Sequence, residues 1–269
     1  MNAFAQHFAF EFRIGMRNKG QQLMNYIFPL LCYLMFGVLM GSINPLFTKT
    51  MIPAMSIFAI LTGAILGLPN PLIEARDAGV FRTYKINGVP AVSVLVIPAL
   101  TTMFHSLIVA VIITATAPLL FNAPLPVNWP AYALTLILMA FACAGLGSLI
   151  GVISANSRVT VLWSQLIFLP SMMLGGLMFP ISMLPSSLKR VSAMMPSSHA
   201  MQAFMGLAYG QAVEWSPAWA LSILLTGGLL AFVMAVYLFN WDNQNTQRRP
   251  LALAILALVP YIAGAVLLA

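Results

Sequence analysis

The side chains able to do chemistry are few, and their spacing narrows what that chemistry could be. Pro196-Ser197-Ser198-His199 sets a histidine beside a serine, the pairing a hydroxyl nucleophile needs to attack a lipid phosphate. Such a site also needs a base and a group to orient it; Ser157-Arg158 precedes the pair and no His-Asp pair follows it. His199 is therefore expected to be a structural or interfacial residue, and a lipid-phosphate enzyme is kept as the alternative. His105 lies within an apolar run, where an ionisable group raises the question of proton transfer. No carboxylate or arginine stands mid-run to partner it, so a neutral ring bonded to a Ser, a Thr or a carbonyl is expected, and a secondary carrier ranks lowest. Cys32 and Cys143 sit in apolar runs as small hydrophobes and supply neither a disulfide framework nor a metal site. No G-x-x-x-x-G-K-[ST] phosphate loop occurs, so the chain cannot hold ATP by that device. The expectation is no catalytic residue, no metal and no cofactor bound by this chain.

Two segments carry most of the remaining polarity. Glu74–Pro90 reads EARDAGVFRTYKINGVP and holds Glu74, Arg76, Asp77, Arg82 and Lys85. Its pattern predicts a short amphipathic helix, with Val80, Phe81, Tyr84 and Ile86 available for burial, Arg82 and Lys85 exposed, and turns at Gly79 and Gly88. A helix of this kind is what a partner protein grips. At the amino terminus Phe4, Phe8 and Phe12 recur every four residues, with Glu11, Arg13, Arg17 and Lys19 mostly off that stripe. That spacing predicts an amphipathic interface helix over residues 1–25, lying in the headgroup plane.

These segments must be positioned by apolar helices. The chain has 269 residues, 61% hydrophobic and only 6% charged, far below the roughly 25% charge of a soluble domain. The net charge of +7 comes from twelve scattered Lys and Arg, which argues for a topology signal and against nucleic acid as a partner. Apolar runs fall at about Tyr26–Ile43, Met51–Leu72, Ala91–Phe121, Trp129–Ser154, Val159–Met183, Pro217–Phe239 and Leu251–Ala269. A crossing needs roughly 20 residues, and the Ala91–Phe121 run exceeds one, so it is expected to tilt or to continue past the membrane surface. With a cytoplasmic amino terminus, the inside segments hold Arg13, Arg17, Lys19, Arg76, Arg82, Lys85, Arg158, Arg248 and Arg249; the outside ones hold Lys49, Lys189 and Arg190. This bias predicts seven spans and an external carboxyl terminus. Pro180, Pro185 and Pro196 cut the stretch after the fifth run into pieces too short to cross, which suits a re-entrant external segment over 184–212. Gly pairs at 37/41, 63/67, 147/151 and 206/210 permit close helix approach. Met172, Met173, Met178 and Phe179 offer an adaptable apolar surface for a possible substrate path.

In this order the parts resemble the membrane subunits of type-2 ATP-binding-cassette exporters, the permease family that includes antibiotic-resistance transporters. Glu74-Ala-Arg76-Asp77-Ala-Gly79 and Arg82-Thr-Tyr-Lys85 match the family's charged segment, although Val80-Phe81 replaces Thr-Leu and Gly88 stands where a proline is usual. Pro180-x-x-x-x-Pro185 followed by Pro196 looks like the family's external hairpin, and Tyr237-Leu-Phe239-Asn-Trp241 like the close of its sixth helix. The resemblance implies an all-α polytopic fold with a six-span permease domain over residues 26–243. Residues 73–90 would be its cytoplasmic coupling helix, and residues 244–269 would add a linker and a seventh helix the family usually lacks. It further implies that Glu74, Arg76, Asp77, Gly79, Arg82, Thr83, Tyr84 and Lys85 meet a separate ATPase, present in two copies and carrying the ATP and Mg. The interface helix, with Phe4, Phe8, Phe12, Arg13 and Arg17, would complete that platform. A second permease copy would form a homodimer, with the first, second and fifth spans nearest the interface. The assembly would sit in the inner (plasma) membrane and move an amphipathic drug-like or lipid-like substrate outward.

Overall fold

The structure, a computed structural model, describes residues 3–44, 47–241 and 251–267; the side chains of residues 3–7, Ser42 and Leu251 are not among those described. Phe4 as a side chain and the linker before residue 251 thus lie outside the described residues. The described chain is all-helical, as expected where a backbone in hydrocarbon must satisfy its own hydrogen bonds. Five helices are long and apolar enough to cross a bilayer: α2 (Lys19–Gly41), α3 (Phe47–Asp77), α5 (Ala91–Phe121), α6 (Trp129–Ile153) and α10 (Pro217–Leu238). Around them lie α1 (Ala3–Arg17), α4 (Val80–Ile86), α7 (Ser157–Leu174), α8 (Ser186–Ser192), α9 (Pro196–Ala203) and α11 (Val259–Leu267).

Local signals set the helix ends. Asn18, Asn128 and Asn156 each cap a following helix, their side chains accepting from Gly20 and Gln21, from Ala131 and from Val159. Proline opens α6, α9 and α10, where its missing N–H is harmless. The Asn18 cap ends α1 at Arg17 and starts the first crossing at Lys19, so the amino-terminal unit closes several residues before the expected boundary at 25. The fifth run also differs from expectation. Gly176 takes φ +81°, and the helix stops at Leu174 instead of reaching Met183. With Arg158, Ser164, Gln165 and Ser171 along its 18 residues, α7 is not one of the five long apolar helices. The seventh run forms a 3-10 stretch, Leu251–Leu258, followed by α11.

The core is built around α3. Its apolar window is 94% buried, against 28% for α2. The second run is therefore a central post enclosed by its own chain, leaving little of it for the dimer interface that the resemblance assigned to it. Polar ties join its neighbours: the Tyr132 hydroxyl is bonded to Ser56 (3.1 Å) and Thr114 (2.7 Å), and Tyr33 to Thr116 (3.0 Å). Two π turns interrupt the post and its neighbour, Leu23–Ile27 in α2 and Thr62–Gly67 in α3.

The spaced glycines serve packing within the chain. A Cβ on Gly147 would run into the Ala64 carbonyl of the α3 π turn, and one on Gly151 would press on Leu72 and the Pro69 carbonyl. Gly145 faces the Gly228 carbonyl, bringing α6 and α10 together. Gly41, by contrast, has nothing within 4 Å. Gly147→Ala is expected to cost about 2 kcal/mol, lowering the melting temperature of the detergent-solubilised protein by about 5 °C. Gly41→Ala should leave it unchanged. Equal melting curves for the two variants would remove the α3–α6 contact as a determinant of stability.

Candidate functional site at the charged end of the bundle

Gly79 (φ +76°) and Gly88 (φ +73°) bracket α4 with turns that only glycine makes without strain. One face of α4 is anchored. Phe81 is buried and its ring lies 5.4 Å from Phe239, which in turn packs edge-on against Trp241. Tyr84 is half-buried and hydrogen-bonds the Glu11 carboxylate of α1. Burial, with the nearby Glu11 charge adding to it, raises the Tyr84 hydroxyl above the usual tyrosine range, so it stays a donor at neutral pH. The other face is open: Arg82, Thr83 and Lys85 are exposed. Ile86 is 85% exposed and Val80 37%. The expected burial thus holds for Phe81 and in part for Tyr84, but a seven-residue helix resting on one aromatic cannot also turn Val80 and Ile86 inward.

Glu74, Arg76 and Asp77 lie on the last turns of α3. Arg76 is turned toward the bundle, its side chain only 9% exposed, and donates to the Ser154 (3.0 Å) and Ala155 (3.2 Å) carbonyls at the end of α6. It also meets Asp77 at 3.4 Å. A cation there satisfies carbonyls left over at a helix C-terminus. The sequence pattern grouped Arg76 with Arg82 and Lys85, whereas the fold separates the clamp from the open face.

The aromatic stripe of α1 packs on protein, where the spacing alone pointed to headgroups. Phe12 stacks on His105 of α5 (4.7 Å between ring centroids) and meets Phe104 edge-on (5.9 Å), with Phe8 stacked behind it at 6.5 Å. His105 shares a 2.6 Å hydrogen bond with the Tyr26 hydroxyl in the π turn of α2. Gly15 passes close to the same ring. Arg13 and Arg17 remain exposed. So α1 is joined to α4 through Glu11 and to α5 through Phe12, and His105 carries the tie on to α2; the sequence marked neither Tyr26 nor Glu11 as a partner, because both bonds span separate segments.

At the opposite end, Ser198 and His199 are wholly buried. Ser198 Oγ bonds Ser192 Oγ (2.9 Å), Ser192 donates to the Leu174 carbonyl (2.7 Å), and His199 Nε2 donates to the Ala193 carbonyl (2.8 Å). The His199 ring packs on Trp215 and Tyr261 and beside Gly264. These bonds weld α8 and α9 to the end of α7, ring packing adds α11, and the buried pair presents no nucleophile to a substrate. Lys189 and Glu214 add an ion pair at 2.9 Å. Of the proposed path residues, Met172 packs against the core, Met178 is half-buried, and Met173 and Phe179 point outward at 66% and 50% exposure.

Comparison with known proteins follows the same division of the chain. No curated protein matches it. A family model described as ABC-2 type transporter matches residues 3–209, from α1 through the segment that follows α9, and so includes α4, its anchor on α1 and the Ser192–Ser198 and His199–Ala193 bonds. With well over half of its length matched, and with apolar helices long enough to cross a bilayer several times, the chain belongs to the ABC-2 type transporter family and is a multi-pass membrane permease component of an ABC transporter.

Proposed function

We propose that the chain is the permease of an exporter driven by a separate ATPase, and that the open face of α4 receives that ATPase. The observation that carries this reading is the two-sidedness of α4: Phe81 and Tyr84 hold it to the bundle while Arg82, Lys85 and Ile86 are exposed. A helix anchored on one side and offering an apolar knob flanked by cations can transmit a partner's movement. ATP and Mg belong to the partner, because this chain has no phosphate loop of its own. Two ATPase copies closing on ATP would displace α4 in each of two identical permeases and shift the assembly from inward- to outward-open. The exposed apolar sides of α2 and α7, with Leu31, Leu34, Val38, Leu162 and Leu166, are available to a second copy or to lipid. The distribution of Lys and Arg supports an amino terminus and an α4 on the cytoplasmic side, and the assembly sits in the inner (plasma) membrane. The cargo is amphipathic, drug-like or lipid-like, and moves outward.

Affinity purification of the tagged protein from its native membrane, followed by mass spectrometry, tests the pairing. A stoichiometric soluble ATPase should co-purify and be lost from the Arg82→Glu/Lys85→Glu variant, which still inserts. Retention of the ATPase by that variant would move the docking face elsewhere.

Tyr84→Phe removes the bond to Glu11 and leaves the open face untouched. ATPase binding should persist while transport per ATP hydrolysed falls several-fold, and Glu11→Gln should produce a smaller loss, since the amide can still accept. The wild-type bond itself is present below the ordinary tyrosine range and weakens as pH rises through the raised Tyr84 value.

A cytoplasm-only fluorescent reporter fused after residue 269 should stay dark, because the C-terminal helix returns the chain to the outside. A bright fusion would place that end in the cytoplasm.

A further inference from the structure

Between the start of α2, the π turn of α3 and α7 lies a cleft of about 300 Å³. Its polar lining comes from Asn18, Gln21, Asn70, Glu74, Ser164 and Gln165, and its apolar wall from Met24, Leu66 and Val161. Three of those polar side chains hold buried atoms without a hydrogen-bond partner: Asn70 Oδ1, Ser164 Oγ and Gln165 Oε1. Ser164 is only 3% exposed. Behind the cleft Asn25 Oδ1, also unpartnered, is wedged against Gly63 and Gly67. Each such group costs about 1–3 kcal/mol while unsatisfied, so a cluster of them in the walls of one cleft marks a place where a small turn of a side chain would give a hydrogen-bonding group a partner. The two π turns flank this space, and wide turns of this kind gather at functional sites because they turn side chains out of helical register.

The charge of the lining decides what enters. Glu74 is the one charged side chain among the lining residues, and no Lys or Arg joins it, in a chain whose net charge is +7. The Glu74 carboxylate only accepts, while the Ser164 hydroxyl and the Asn70 and Gln165 amides, whose oxygens have no partner, can accept as well as donate. The Glu74 charge therefore repels an anion, and the set complements a cation bearing N–H donors. The volume is at the small end for ligand sites and suits a head group, while Val161 and the neighbouring exposed Leu162 continue the surface as apolar.

We propose that this cleft seats the protonated-amine head of an amphipathic substrate, with its tail along the apolar side of α7. The proposal rests on the transport reading above and narrows its cargo to amphipathic cations carrying N–H donors.

The test uses the full chain in phosphatidylcholine nanodiscs at pH 7, titrated calorimetrically with dodecylammonium, with dodecanoate as the anionic counterpart; empty nanodiscs give the blank. Saturable binding of dodecylammonium is expected, weaker by about tenfold in Glu74→Gln and tighter by several-fold in Gln165→Glu, which adds a carboxylate to the same wall. The gain in the second variant guards against reading misfolding as lost affinity. The proposal is overturned by dodecanoate binding as tightly as the amine, by affinities that neither substitution moves, or by no saturable binding to the wild type. Co-purification of the ATPase does not depend on this titration. A permease that brings down its ATPase but binds no amine loses the seat alone; one that binds the amine in the predicted order without an ATPase keeps the seat and loses the proposed coupling.

Discussion

Burial of α3 within its own chain is the constraint that arranges the other helices. A helix with 94% of its apolar window covered has almost no lipid contact, so its neighbours must approach closely enough to fill every side. Gly147 and Gly151 allow α6 to do so against Ala64, Leu72 and Pro69, and Gly145 lets α10 follow behind α6. Without a hydrophobic force between helices in lipid, such contacts rest on dispersion and on a few hydrogen bonds. The Tyr132 bonds to Ser56 and Thr114 and the Arg76 clamp on the end of α6 are those bonds at the two ends of the post.

Because the post is held at both ends, movement introduced at α4 has a restricted set of routes. Phe81 ties α4 to the end of α10 through Phe239, and Tyr84 ties it to α1 through Glu11. From α1 the contact passes by Phe12 to His105, and from His105 to Tyr26 within a π turn. Every one of these links joins an aromatic ring to a group on a different helix, and beside them α4 packs directly on the last turns of α3, where Phe81 lies by Leu72.

Much of this was legible in the sequence because bilayer spacing leaves a strong mark. The Ala91–Phe121 helix has the bounds its apolar run gives, and α6 and α10 differ by a residue at one end. The brackets at Gly79 and Gly88 were readable from the same logic. Less visible were features that depend on partners distant in the chain. Arg76 looks like its basic neighbours until the carbonyls of Ser154 and Ala155 are placed beside it. The Phe8–Phe12 stripe has the period of a lipid-facing helix, and only the position of His105 and Phe104 turns it toward protein. Ile86 reads as buried by pattern and is exposed because α4 is too short to have an inner face of two turns. The π turns left no compositional trace, and the polar cleft beside them was legible only as isolated Asn, Ser and Gln residues in otherwise apolar runs.

The C-terminal helix changes the boundary between protein and lipid. Tyr261 fills the notch over Gly227, and Gly264 rests against His199 and Ile223, so α10 is sheathed along this flank, and the 3-10 stretch touches α6 as well. Eight residues of 3-10 helix and nine of α-helix reach about 30 Å at rises of roughly 2.0 and 1.5 Å per residue, the thickness of the hydrocarbon layer. A stretched opening half thus lets a short tail cover more of α10 than the same residues would as α-helix. The glycine-lined flank of α10, which would otherwise be wetted by acyl chains, becomes dry interior, and the annular lipids meet a smoother and wider wall.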